Sequence, residues 1–198
     1  MPEDHQHHTD QPAEQPAEQS ADLAIVGAGA AGLMSAIWAG RTARAKGLRP
    51  RIVAIDGANK LGAKILVAGG GRCNVTHDFV DPREYAGSSH RSIARVLSRF
   101  GVERTVGFFA DLGVTLKRED TGKLFPTTDK ARTVLDALLG AARDAGAELR
   151  HPWRVESVVR HDSTSQGGFT IAGGGQTIHA KRVILATGGK SLPKSGSD

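Results

Sequence analysis

Cysteine is nearly missing from this sequence. Cys73 stands alone among 198 residues, which excludes an intrachain disulfide or a cysteine-built zinc centre and agrees with a reducing compartment. Aromatic residues make up only 5%, so a site walled by aromatic rings is not expected. No stretch approaches the roughly 18 consecutive apolar residues of a membrane span, and no basic-then-apolar leader opens the chain. These absences point to a cytoplasmic protein. Lys and Arg are missing from residues 1–21, which instead hold the near-repeat QPAEQPAEQ, five acids and three histidines, His5, His7 and His8. Such a tract has too little apolar surface to offset the entropy of ordering, so it reads as a disordered tail with solvated histidines and no metal centre. The remaining residues hold 26 bases and 16 acids, a net charge of +10. These bases show no run and no interleaved aromatics, so a nucleic-acid partner is not expected and a polyanionic cofactor accounts for the charge.

Glycine is what the sequence has in excess, with 25 residues, and its placement organises the chain. Leu23, Ala24, Ile25 and Val26 form an apolar run without polar alternation, as in a strand covered on both faces of a parallel sheet. Gly27, Gly29 and Gly32 follow on the G-x-G-x-x-G spacing and open a helical segment. In such a turn the first glycine permits the reversal, the second lets main chain approach a pyrophosphate, and the third lets helix and strand pack closely. The N–H groups near Ala28, Ala30 and Ala31 then face the phosphates. A second apolar run, Ile52 to Ile55, ends in Asp56, 24 residues beyond Gly32, near the offset of a carboxylate that holds an adenosine ribose.

Gly69-Gly70-Gly71 suits neither helix nor strand, since each glycine costs about 1 kcal/mol in a helix interior. It suits main chain passing close to a flat or charged group. Arg72 adds a planar donor fork and Asn74 a donor and an acceptor, a pair fitted to phosphate or ring-edge recognition. Cys73 lacks a resolving thiol and reads as a small packing residue. Two short helices are expected across 91–112, broken at Gly101, then a hairpin across 116–125 around Glu119-Asp120-Thr121-Gly122. A helix to Ala145 follows, capped by Thr127 or Thr128, with Ala131, Val134, Leu135, Leu138 and Leu139 on its core face. From 147 to 181 four short runs, beginning with Glu148 to Arg150, read as a small antiparallel meander inserted before a last parallel strand, Arg182 to Ala186. Thr187, Gly188 and Gly189 at its end again offer main chain to a dinucleotide.

The blocks GAGAAG, KILVAGGGRCNVTH, GKLFPTTDKA and VILATGGKSLPKSGSD, in that order, resemble the signatures of the BaiN/YhiN-like flavoproteins, also described as aminoacetone-oxidase-type or NAD(P)/FAD-dependent oxidoreductases. The resemblance spans 22–198, with two departures: Ala68 stands where the family usually has Ser, and His77 where it usually has Asn. It implies an α/β fold, a Rossmann-type FAD-binding parallel sheet of the glutathione-reductase-like, two-dinucleotide-binding superfamily. It further implies FAD held by Gly27–Gly32 and Asp56, main chain of Val155 against the adenine, Ala186–Gly189 along the cofactor, Gly70–Asn74 toward the flavin, and Lys64 among the cofactor-binding residues. The GKLFP block falls on the substrate side. NAD(P)H as electron donor and a small-molecule substrate follow from the same likeness. Family chains run to roughly twice this length, so the expectation is the N-terminal, FAD-binding half of an oxidoreductase, inactive without its C-terminal half. Two other readings stay open on the residues: NAD in place of FAD, and a non-catalytic nucleotide- or RNA-binding module on a degenerate Rossmann fold.

Overall fold

The structure, a computed structural model, describes residues 19–162 and 167–189. The expected tail up to residue 18 and the end of the fourth block, 190–198, lie outside the described residues. In chain order the strands are β1 (Ser20–Ala21), β2 (Leu23–Val26), β3 (Ile52–Ile55), β4 (Thr76–His77), β5 (Leu116–Arg118), β6 (Lys123–Pro126), β7 (Ala147–Arg150), β8 (Ser157–His161), β9 (Gly168–Gly173), β10 (Gln176–Ala180) and β11 (Val183–Leu185). The helices are α1 (Ala30–Ala45), α2 (Ala63–Val67), α3 (His90–Arg99), α4 (Val102–Asp111) and α5 (Ala131–Asp144), with 3-10 turns at Ala68–Gly71 and Pro82–Glu84.

A four-stranded parallel sheet in the order β11-β2-β3-β7 forms the centre, with Ile25 of β2 lying between Ala54 of β3 and Ile184 of β11. Strands β2 and β3, inside the sheet, are apolar along their whole length because both faces are covered. On one face Ile25, Ile52 and Ala54 pack with Leu33 and Ile37 of α1 and with Leu135, Leu138 and Ala142 of α5. On the other, Ala24, Val26, Val53 and Ile55 pack with Trp153, Ile171 and Ile178 beneath the antiparallel meander β8-β9-β10. Burying each of these large aliphatic side chains is worth about 1.5–3 kcal/mol. Helices α1 and α5 approach so closely that a Cβ on Gly40 would fall 2.1 Å from the Ala145 carbonyl oxygen. No helix among the described residues is long and apolar enough to cross a membrane.

Three boundaries differ from expectation. The run 147–150, expected to open the meander, is the fourth strand of the parallel sheet, paired with β3. It lies at the sheet edge and is half exposed, so its alternating pattern mimics an antiparallel strand. Ser20 and Ala21, assigned to the tail, pair in parallel with His179 and Ala180 of β10, and Ala21 is buried. Helix α5 begins at Ala131 with Lys130 at its cap position; the Thr128 hydroxyl instead meets that of Thr133 at 2.7 Å. A third sheet, β4-β6-β5, was expected only as its β5–β6 hairpin.

Candidate functional site

The chain leaves β2 at Gly27, whose N–H donates to the Ile55 carbonyl at 2.7 Å and whose φ of +98° lies in the region that favours glycine. A Cβ there would sit 2.4 Å from the Ala186 carbonyl oxygen and 3.0 Å from the Thr187 Cα, and one on Gly32 would sit 1.8 Å from the Gly27 carbonyl oxygen. Both glycines are required by main chain packed on main chain. Gly29 is different. Its backbone is extended, with φ −77° and ψ −164°, and a Cβ built on it meets nothing within 4 Å. The Leu33 N–H makes the first helical bond of α1, to the Gly29 carbonyl at 2.9 Å. The N–H groups of Ala30 and Ala31 precede that bond, and both residues are exposed. An anion placed over Gly29 therefore meets open space, unclaimed N–H donors and the positive end of the helix dipole. The residues present fit a pyrophosphate.

Asp56 borders this space from the end of β3. One carboxylate oxygen accepts from the Ala28 N–H at 2.7 Å and the other from the Ala58 N–H at 2.9 Å. Its main chain is equally engaged, donating to the Arg150 carbonyl at 3.0 Å and accepting from the Trp153 N–H at 2.8 Å. A carboxylate has about four acceptor positions, so roughly two remain for hydroxyl groups. The strap that carries Val155 crosses beside it: a Cβ on Gly57 would lie 3.2 Å from the Arg154 Cα, and the Trp153 ring N–H donates to the Gly173 carbonyl at 2.8 Å. From β11, the Ala186 N–H donates to the Val26 carbonyl at 2.7 Å, and the Lys64 Nζ of α2 reaches the Gly189 carbonyl at 2.6 Å. Gly27, Ala28, Gly29, Ala30, Ala31, Gly32, Asp56, Lys64, Val155 and the stretch Ala186, Thr187, Gly188 and Gly189 thus gather around the carboxyl ends of β2, β3 and β11.

Of the other candidates, Arg72 and Asn74 line a second cleft, while Gly70, Gly71 and Cys73 belong to the loop beside it without lining it. After α2 the chain runs through Gly69, Gly70 and Gly71 with φ of +56°, +68° and +86°, three consecutive residues in the region that only glycine enters freely. Arg72 then lies 4.1 Å above the centre of the Phe125 ring and donates to the Glu119 carboxylate, with Asp129 at 3.7 Å. The hydrogen bond to Glu119 is the main reason its pKa is raised above the ordinary arginine value. The expected free fork is therefore an anchored one. Asp129, drawn down chiefly by its bond to Lys117, is ionised at neutral pH. Gly69, Arg72, Asn74, Glu119, Lys123 and Phe125 enclose a cleft of about 460 Å³. Gly71 flanks this cleft, and Cys73 is buried behind it. Burial pushes the Cys73 thiol up, which favours its protonated form. Glu119, Lys123 and Asp129 were missed from sequence: their role depends on β6 lying beside the glycine loop, and no local spacing signals that.

The HI0933-like protein Rossmann domain matches residues 21–198. The chain is 36% identical over 176 residues to the 3-dehydro-bile acid delta(4,6)-reductase of Clostridium scindens and 32% identical over 176 residues to the ribosomal RNA dihydrouridine synthase of Escherichia coli. Each alignment takes in 89% of this chain and 41% of the relative, so the chain spans about two-fifths of the length of the curated relatives it matches. Among solved structures, the 3-ketosteroid-delta4-(5alpha)-dehydrogenase of Rhodococcus jostii RHA1 superposes with a TM-score of 0.60 at 17% identity, over 89% of this chain and 47% of the other. THI4 of Thermovibrio ammonificans does so with a TM-score of 0.56 at 20% identity, over 85% and 58%. These two likenesses establish the Rossmann-type fold. The resemblance carried by the four sequence blocks is borne out by the match over nearly all of the chain beyond residue 20, and the chain belongs to the HI0933-like Rossmann-domain family.

Proposed function

We propose that this chain is the FAD-binding portion of a flavin-dependent oxidoreductase. The observation that carries the reading is the open space over Gly29, set between the start of α1 and the Asp56 carboxylate. On this reading the N–H groups of Gly29, Ala30 and Ala31 hold the pyrophosphate, and Asp56 accepts from the ribose hydroxyls. Main chain at Val155 flanks the adenine, and Ala186 to Gly189 with Lys64 form the opposite wall. Gly70 to Asn74 approach the flavin end, and the Arg72 cleft lies on the substrate side. FAD, when bound, supplies the hydride and electron transfer. The protein's part is to place its ends and to exclude water. A second anion at the ribose would meet the Asp56 charge, so the site favours an unphosphorylated ribose.

NAD(P)H as the donor and a small-molecule substrate complete the proposal, in the cytoplasm, with the partner portion of the same enzyme supplying the rest of the flavin pocket. The relatives named for a bile acid and for ribosomal RNA show that substrate is not fixed across such sequences. Titration of the purified chain with FAD, FMN and NAD, followed by flavin fluorescence and by calorimetry, tests the reading. FAD should bind most tightly, and Asp56→Ala should weaken it. Tighter binding of FMN or NAD, or no binding to folded protein, refutes it. NAD(P)H oxidation by the FAD-loaded chain alone would refute the expected need for a partner portion.

A further inference from the structure

From Gly69 to Cys73 the main chain takes a shape that few sequences hold. Gly69, Gly70 and Gly71 have positive φ and so does Cys73, at +63°, while Arg72 between them is right-handed at φ −98°. Cys73 is not glycine, and a residue with a side chain stays in that region only where its surroundings over-determine it. Three adjacent glycines determine nothing themselves; they have the widest choice of conformations and lose most on being ordered. Within the loop the Arg72 and Cys73 N–H groups both turn back to one acceptor, the Ala68 carbonyl. Further restraint comes from outside. Arg72 donates to both oxygens of Glu119, 47 residues away, and lies on the Phe125 ring, while a Cβ on Gly69 would fall 2.7 Å from Phe125 Cε1. Glu119 is itself fixed in the hairpin turn: its N–H donates to the Lys123 carbonyl at 3.0 Å, and its carbonyl accepts from the Gly122 N–H at 2.8 Å. Asp129, 3.7 Å from Arg72 and paired with Lys117, adds a second acid to the same guanidinium. With two carboxylates against it, Arg72 keeps no net charge for an anionic ligand. Its part is mechanical.

We propose that Glu119 is a positioning residue for flavin binding, which through Arg72 holds the glycine loop in the shape that meets the flavin end of FAD. The inference rests on the flavin reading above and adds to it the residue that keeps the loop ready. Loop entropy gives the reason. A free run of three glycines would have to be ordered when the ligand arrives, and that cost would be taken out of the affinity. A loop bolted to the β5–β6 hairpin is ordered beforehand. The bonds of Glu119 reach neither the first glycine turn nor Asp56, which are held by their own main-chain bonds, Gly27 to Ile55 and Asp56 to Arg150. Loss of the bolt is therefore felt at the flavin end alone. ADP shares the pyrophosphate and the ribose with FAD but lacks the flavin, so it does not sense the loop.

Calorimetric titration of the purified chain with ADP and with FAD tests it. Wild type should bind FAD more tightly than ADP. Glu119→Gln, which keeps the shape and removes the charge, should weaken FAD about tenfold and leave ADP within about twofold. Arg72→Lys, which keeps the charge and removes the fork, should do the same. The double variant should lose no more than either single one, because the two side chains act as a unit. Hydrogen exchange of the ligand-free chain should quicken across 69–74 in both variants. Unchanged FAD affinity in Glu119→Gln, with ADP bound as before, overturns the inference and leaves the flavin reading standing. Equal weakening of both ligands, unaltered exchange across 69–74, or a wild type that binds the two ligands alike overturns it too. A wild-type chain that binds neither ligand overturns the flavin reading and the inference together. Circular dichroism of each variant separates a lost contact from a lost fold, and Arg72→Lys, at the other end of the bond, keeps the test open should Glu119→Gln unfold.

Discussion

Adding one methyl group at Gly29 and at Gly32 should have opposite consequences, although the two positions belong to one motif. At Gly29 the backbone is already extended and a Cβ has nothing within 4 Å. Alanine there narrows the unfolded ensemble, a gain of about 0.5 kcal/mol. Alanine is also a poorer helix cap than glycine, a loss of similar size. Gly29→Ala should therefore melt within about 3 °C of wild type. At Gly32 the new Cβ would stand 1.8 Å from a main-chain oxygen that cannot swing away. Overpacking of that kind costs about 3 kcal/mol, while helix propensity returns about 1 kcal/mol. The net loss of about 2 kcal/mol should lower the melting point by roughly 4–8 °C. Ligand affinity reverses the order of interest. The Gly29 methyl occupies the space assigned to the pyrophosphate and should cost about 2 kcal/mol of FAD affinity, roughly 30-fold. Differential scanning fluorimetry of the cofactor-free chain and a flavin fluorescence titration read the two quantities separately. A Gly29→Ala chain that binds FAD like wild type, or a Gly32→Ala chain that melts like wild type, would refute the division of labour drawn between these glycines.

Asp56→Ala removes the acceptor for the buried Ala28 N–H, so urea unfolding of the cofactor-free chain should show a loss of about 1–3 kcal/mol. Asp81 is held at about 2, below its ordinary 3.8, first by its hydrogen bond to the Arg83 side chain and next by the Arg83 N–H. Because its folded value is depressed, whatever it adds to stability is present above pH 3.8 and lost as pH falls through 2. Carbon-detected NMR titration should place its midpoint near 2 in wild type and nearer the ordinary value in Arg83→Ala. Trp153→Phe keeps the buried ring but strips the donor from the Gly173 carbonyl, and should cost about 1 kcal/mol in the same urea assay.

The parts of this fold that could be read from sequence are those in which one residue's surroundings are set by its own neighbours in the chain. Leu23–Val26 and Ile52–Ile55 announce a doubly covered sheet because no polar residue interrupts them, and the glycine spacing announces the turn between strand and helix. The helices either side of Gly101 and the hairpin around Glu119 were equally plain. What escaped depends on pairing across long stretches of chain. Ala147–Arg150 alternates like an antiparallel strand because it is the sheet's edge, and nothing local says that its partner is β3. Arg72 was recognised as a fork, yet its two acids arrive from 47 residues away on the hairpin and from the turn after β6.

Asp56 joins three pieces of chain at once: its carboxylate clasps the glycine turn and the loop after β3, and its amide and carbonyl clasp the strap between Arg150 and Trp153. Under the proposed function, a ribose arriving there would meet an acceptor whose rotamer is already frozen, so the ordering cost of that contact would have been met when the protein folded rather than at the moment of capture. The same rigidity should make the site intolerant of glutamate, whose extra methylene would displace both carboxylate bonds together.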